Sequence, residues 1–169
     1  MGGTKTTVKR SAQPRLWVGW REWAALPELG IRAIKAKVDT GASTSALHAI
    51  HIQRFRADGR DQVRFEVHPL QRRTDVTLRC VADVIDERAV TSSNGQREKR
   101  IVIRTPLWLG GQQWPIELTL TNRGTMGFRM LLGRRAMHER ILVDPTASHL
   151  ADKPDAQALV ISTSKASRT

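Results

Sequence analysis

The chain has 169 residues, 40% of them hydrophobic, and a formal net charge of +12. That length suits one domain with a real core, and no apolar run approaches the ~20 residues that a membrane-spanning helix needs. Residues 1–14 are basic but hold no apolar stretch, so they do not read as a secretory signal, and the lone cysteine, Cys80, excludes an internal disulfide framework and fits a reducing, cytoplasmic setting.

The polar, aperiodic residues 1–14 read as a flexible basic arm, 15–150 as the domain, and 151–169 as a flexible tail, with a docked short strand at Ala158–Ile161 as the alternative. Between the ends the signal is mostly β. Leu16–Trp20 reads as a first strand, Leu26–Gly30 as a turn and Ile31–Val38 as a second strand. Ala46–Ile52 leads into the next strand, Asp58-Gly59 marks a hairpin, and Gln62–His68 alternates around Val63, Phe65 and Val67. Val76–Ile85 follows, and Cys80 alternates there with Leu78 and Ala82 as a buried small residue. Ser92-Ser93-Asn94-Gly95 is a hairpin tip whose returning arm is Arg100–Thr105. Leu107–Leu109, a Gly110-Gly111 turn and Ile116–Leu120 form a further hairpin. Met130-Leu131-Leu132-Gly133 is a short apolar run, Arg134–Glu139 the best helix, and Ile141–Val143 a last strand. Many short strands with little helix predict an all-β domain, a small closed β barrel with one short helix.

The +12 charge includes three from Lys5, Lys9 and Arg10 and one from the tail, which leaves +8 on the folded body. Such a surface favours a polyanionic partner, and the excess of arginine over lysine favours fork-type recognition of carboxylates or phosphates. A solvated surface that only confers solubility is the plain alternative.

Asp39-Thr40-Gly41-Ala42, at the end of the second strand, is the most informative stretch. A strand that delivers an Asp into a tight Thr-Gly turn is how aspartic peptidases present a catalytic carboxylate. Two such groups close together share a proton, so one activates water as base while the other protonates the scissile carbonyl. Thr40 suits a hydrogen bond across a two-fold axis, and Gly41 and Ala42 suit a crowded turn. The tripeptide occurs once, so a second chain must supply the other carboxylate. A β-turn that merely contains these residues is the alternative.

The order of strand, Asp-Thr-Gly turn, long hairpin, apolar-apolar-Gly and helix resembles a retropepsin half over residues 16–145. Lys37–Ala49, Leu118–Arg123 and Met130–Arg134 resemble more narrowly a bacterial retropepsin-like family once described as ATP-dependent zinc proteases. Its RimB-type members are associated with RimK-type ATP-grasp ligases, which add glutamate tails to a ribosomal protein. The resemblance implies a homodimer with Asp39, Thr40 and Gly41 at the catalytic turn. It implies a flap at Ser93, Asn94 and Gly95, with Ala42, Arg97, Arg100, Arg123 and Arg134 as further substrate contacts; a solvated hairpin stem at Arg97 and Arg100, and an Arg134 that braces the barrel through an internal ion pair, are the alternatives. It also implies Ile141–Val143 at the dimer interface, and hydrolysis of glutamate-rich tails without a cofactor.

The zinc and ATP labels find little support in the residues. There is no His-Glu-x-x-His, no cysteine pair and no phosphate-binding Gly-rich loop, and His48 and His51 would face opposite ways in a strand. Arg54, Arg56, Arg60 and Arg64 cluster at one hairpin, which leaves open a contact with ribosomal RNA, one with an acidic protein, or no specific role. With no Tyr and three Phe, a stacking platform for single-stranded RNA is not expected. Two other readings stay open: a non-catalytic adaptor docking on a ligase or the ribosome, and a general protein-quality peptidase.

Overall fold

The computed structural model describes residues 14–70, 76–92, 94–122 and 127–154. Ser93, Arg123, the arm before residue 14 and the tail beyond 154 lie outside the described residues. The strands are β1 (Leu16–Val18), β2 (Arg21–Leu26), β3 (Ile31–Val38), β4 (Ser45–His48), β5 (Ile50–Ala57), β6 (Arg60–Val67), β7 (Leu78–Thr91), β8 (Arg97–Leu109), β9 (Gln112–Thr121), β10 (Met130–Leu132) and β11 (Ile141–Val143). A 3-10 turn spans Pro27–Leu29, and the helix α1 is one turn, Arg134–Met137.

Alternation explains the core where it is clean. Val63, Phe65 and Val67 of β6 are fully buried, as period-2 patterning requires. At the β5–β6 turn both Asp58 and Gly59 have positive φ, the backbone of a two-residue hairpin whose twist matches its strands. Cys80 is buried, its Sγ 3.4 Å from the Leu29 carbonyl, and burial pushes the thiol up to about 11. It is therefore protonated at neutral pH and a poor nucleophile.

Nine strands form one sheet in the order β2-β3-β10-β4-β9-β8-β7-β6-β5. The sheet curls until β2 touches β8 at a single pair, Ala25 with Trp108, so it is joined at a corner rather than laddered all round as a closed barrel would be. β10 threads between the arms of the β3–β4 connection, parallel to β3 and antiparallel to β4. All four residues of β4 are buried, because it is flanked by β10 and β9 and covered on both faces. β1 and β11 form a separate parallel ribbon.

Several expected boundaries move. The first strand stops at Val18, and an unexpected strand, β2, follows Gly19-Trp20. The run expected to lead on from Ala46 to Ile52 divides at Ala49. Arg100–Thr105 and Leu107–Leu109 are one strand, β8, which passes through Pro106 opposite Pro115 of β9. The helix ends at Met137 instead of Glu139, because His138 leaves helical geometry with ψ 125°.

β2 explains how the chain's last described segment is held. Glu22 points inward and is 1% exposed. Its Oε2 accepts the Gly19 and Leu150 N–H groups at 2.7 and 2.9 Å, and its Oε1 accepts that of Ala151 at 3.0 Å. Trp20 donates its N–H to the Ala147 carbonyl and His149 to that of Arg21. A strap from Asp144 to Ala151 is thereby laced onto β2, and Pro154 beyond it is buried.

Candidate active site

Val38 anchors the end of β3, and its N–H donates to the Trp20 carbonyl at 2.8 Å. The next residue, Asp39, is half-buried, and its own N–H donates to Leu132 of β10 at 2.9 Å. The turn closes on itself: Gly41 N–H donates to Asp39 Oδ1 at 2.9 Å, and Ala42 N–H to the Asp39 carbonyl at 3.3 Å.

The segment after β10 braces this turn from outside. The backbone N–H groups of Arg134 and Arg135 donate to the Ala42 and Ser43 carbonyls at 2.8 and 3.2 Å. Arg134 Nη1 donates to the Thr40 carbonyl at 3.0 Å, so its side chain braces the turn through a backbone oxygen and not through an ion pair. Gly133 N–H donates to Ser45 Oγ at 3.1 Å. A methyl group on Gly133 would sit 2.6 Å from the Thr44 carbonyl atoms, closer than real contacts allow. Gly133→Ala is therefore expected to cost about 1–3 kcal/mol, the usual range for overpacking. Thermal denaturation measures this, and an unchanged midpoint would mean that the Thr44 backbone yields freely.

Above the turn lies a cleft of about 1000 Å³, lined by Asp39, Gly41 and Ala42 below and by Ala89, Val90, Thr91, Ser92 and Asn94 of the β7–β8 hairpin above. The hairpin tip is ordered by its own polar atoms. Ser92 N–H donates to the Gln96 carbonyl at 2.8 Å, and Asn94 Oδ1 accepts from Gln96 N–H at 3.3 Å and from the Ser92 hydroxyl. The expected flap thus places Asn94 at the cleft, whereas Gly95 is not part of the lining.

Lys37, Arg88, Arg100 and Arg135 also line the cleft, against Asp39 as the one acid among its described lining residues. Arg97 is exposed and is not part of the lining. Arg100 does line it, but it is 6% exposed and its Nε donates to Glu98 at 3.0 Å. Arg88 donates to Asp86 at 2.7 Å and to Glu117 at 2.6 Å, and these contacts push its ionisation further out of reach. Lys37, Arg88 and Arg135 were not singled out as substrate contacts from the sequence. A signal for Arg88 existed: with Thr91 opposite Arg97, counting back along the hairpin puts Arg88 opposite Arg100, on the same face.

The other sequence clusters resolve differently. Arg54 pairs with Asp61 and Glu87, Arg60 with Asp83, and Arg64 lies over the Phe55 ring. That arginine patch is largely matched within its own sheet. His48 is buried, and desolvation, then Arg129 and His68, hold its pKa below the ordinary value; His51 is exposed beside Glu66.

The profile of the RimB-like family, described as retropepsin-like aspartic endopeptidase RimB, matches residues 17–154. The chain belongs to this family. The match takes in the Asp39 turn, the hairpin and the Gly133 brace of this RimB-like domain. Among curated proteins, a probable alpha-L-glutamate ligase of Shewanella pealeana is 52% identical over 139 residues, 82% of this chain and 30% of the ligase. One of Desulfotalea psychrophila is 56% identical over 128 residues, 76% of this chain and 28% of that protein. The RimB-like domain thus spans less than a third of the curated relatives it matches. A crystal structure of a Legionella pneumophila protein of unknown function aligns with TM-score 0.69 at 26% identity, covering 82% of this chain and all of the other. No helix among the described residues is long and apolar enough to cross a membrane.

Proposed function

We propose that this RimB-like domain is an aspartic peptidase that works as a two-fold dimer and hydrolyses glutamate-rich peptide. The observation that carries this reading is Asp39 on a braced turn at the floor of a cleft whose other charged lining residues are all cationic. Two copies facing each other would bring two Asp39 carboxylates together, and such a pair titrates as a unit and shares one proton. One carboxylate takes a proton from water as it attacks the scissile carbonyl, and the other protonates the carbonyl oxygen. The β7–β8 hairpin would act as the flap that shields the reaction.

The dimer reading draws support from exposed apolar surface. Trp17 on the β1–β11 ribbon is 58% exposed, and Trp20 beside the turn is also partly open, which suits a partner surface. The ribbon's Ile141–Val143 would meet its equivalent there.

Substrate class follows from charge and context. The cleft suits carboxylate side chains, and the matched relatives are named as glutamate ligases. A peptidase that trims tails added by a RimK-type ligase, with a ribosomal protein as carrier, is consistent with both. A second reading, a non-catalytic adaptor, is favoured by the same relatives, because their matched region is part of a ligase chain.

Incubation with hexaglutamate and with a neutral peptide of equal length separates these readings. Preferential cutting of hexaglutamate, insensitive to chelator and weaker as salt rises, is the expected result. No turnover combined with tight ligase binding would establish the adaptor. Equal cutting of both peptides would indicate a general protein-quality peptidase.

A further inference from the structure

A second cavity of about 300 Å³ opens beside the cleft, lined by Thr44, Ser45, Arg104, Ile116, Glu117 and Arg135 among others. Thr44 and Arg135 line both spaces, so the two adjoin. Thr44 also lies five residues beyond Asp39, at the far end of the braced turn. A peptide with its scissile bond over Asp39 would therefore run past the mouth of this cavity.

The charges around it are unbalanced. Glu117 is already engaged by Arg88 at 2.6 Å, and that contact above all holds its carboxyl below the usual range. Arg88 is engaged in turn by Asp86 at 2.7 Å. Arg104 sits directly opposite Glu117 in the β8–β9 ladder, and Arg135 is near enough to add to the field on Glu117. The group of Arg88, Arg104, Arg135, Asp86 and Glu117 therefore carries one positive charge in excess. Among the described residues, neither the Arg104 nor the Arg135 side chain has a hydrogen bond or ion pair. Two exposed guanidinium forks beside a space of side-chain size are complementary to one further carboxylate.

We propose that this cavity is a specificity subsite that takes an acidic side chain of the substrate, with Arg135 and Arg104 as its cations. The proposal rests on the peptidase reading for the direction of the bound chain, but it concerns binding and can be tested without turnover. Arg135 has the larger part, because it borders both the cleft and the subsite.

The test uses the full chain carrying Asp39→Asn, so that peptide is not consumed, and measures the affinity of fluorescent hexaglutamate and hexaglutamine at low salt. Adding Arg135→Gln is expected to weaken hexaglutamate about tenfold, and Arg104→Gln several-fold, the scale of one charge-assisted hydrogen bond. Hexaglutamine should be unaffected. Arg32→Gln, an exposed position on β3 away from both cavities, removes the same charge and serves as the control. The proposal is overturned if Arg32→Gln weakens binding as much, if both peptides weaken equally, or if neither arginine variant changes affinity. Failure of the peptidase reading would look different. A wild-type protein that selects hexaglutamate through Arg135 yet never cuts it would keep the subsite and remove the peptidase.

Discussion

Asp39→Asn is expected to lower hydrolysis of glutamate peptide by about 10³-fold or more, because both acid-base roles depend on a group that can gain and lose a proton. The change is nearly isosteric. The Asn carbonyl oxygen can still accept the Gly41 N–H that Asp39 Oδ1 accepts at 2.9 Å. The Arg134 brace on the Thr40 carbonyl does not involve the Asp39 side chain. Stability should therefore change by no more than about 0.5 kcal/mol. The check is kcat together with a thermal melt; a variant that melts normally and cuts normally would remove Asp39 from the chemistry. The same variant tests whether the dyad spans two copies. With freely exchanging subunits, an equal amount of Asp39→Asn protein should capture about half of the wild-type chains in one-carboxylate dimers. Wild-type activity would then fall by about half, whereas a self-sufficient single chain would lose none.

The largest expected effect on folding lies at a residue outside the cleft lining. Glu22 is 1% exposed and accepts three backbone N–H groups, two of them from Leu150 and Ala151 across the molecule. Glu22→Ala would leave those donors without their acceptor and open a void. The expected cost is about 3–5 kcal/mol, from about 1–3 kcal/mol for each buried group left unsatisfied, less whatever water recovers. A chain of this size should then melt about 10 °C lower. Glu22→Gln should be milder, since one oxygen can keep the Gly19 and Leu150 donors while only Ala151 meets an NH2 group. Equal melting of Ala and Gln variants would show that the backbone bonds of Trp20 and Arg21, not the Glu22 carboxyl group, hold the strap. Limited proteolysis near residue 150 gives an independent reading of whether the strap has come free.

What could be read from the chain followed from how local the cause was. β3, β6 and the Asp58-Gly59 turn were legible because alternation and turn chemistry act within a few residues. The tight turn at Asp39 was legible because Asp39, Thr40 and Gly41 are adjacent. β2 was not, since its inward Glu22 reads as a solvent residue until partners some 130 positions later are known. Arg134 and Arg135 show the same limit within one helix turn. Both are exposed arginines following Gly133, yet one braces Thr40 and the other lines two cavities. Only the path of β10 between β3 and β4 separates those roles.

The bulge near the base of the β7–β8 hairpin has a mechanical meaning. The ladder slips register between Val84 and Asp86 and then runs unbroken to the pair Thr91–Arg97. Five residues of strand beyond Asp86 make an arm of about 17 Å. A bend of about 10° at such an irregularity carries the far end about 3 Å, over half of the ~4.8 Å spacing between neighbouring strands. Arg88 lies just beyond the pivot, and its grip on Glu117 of β9 is where the lever is fastened to its frame.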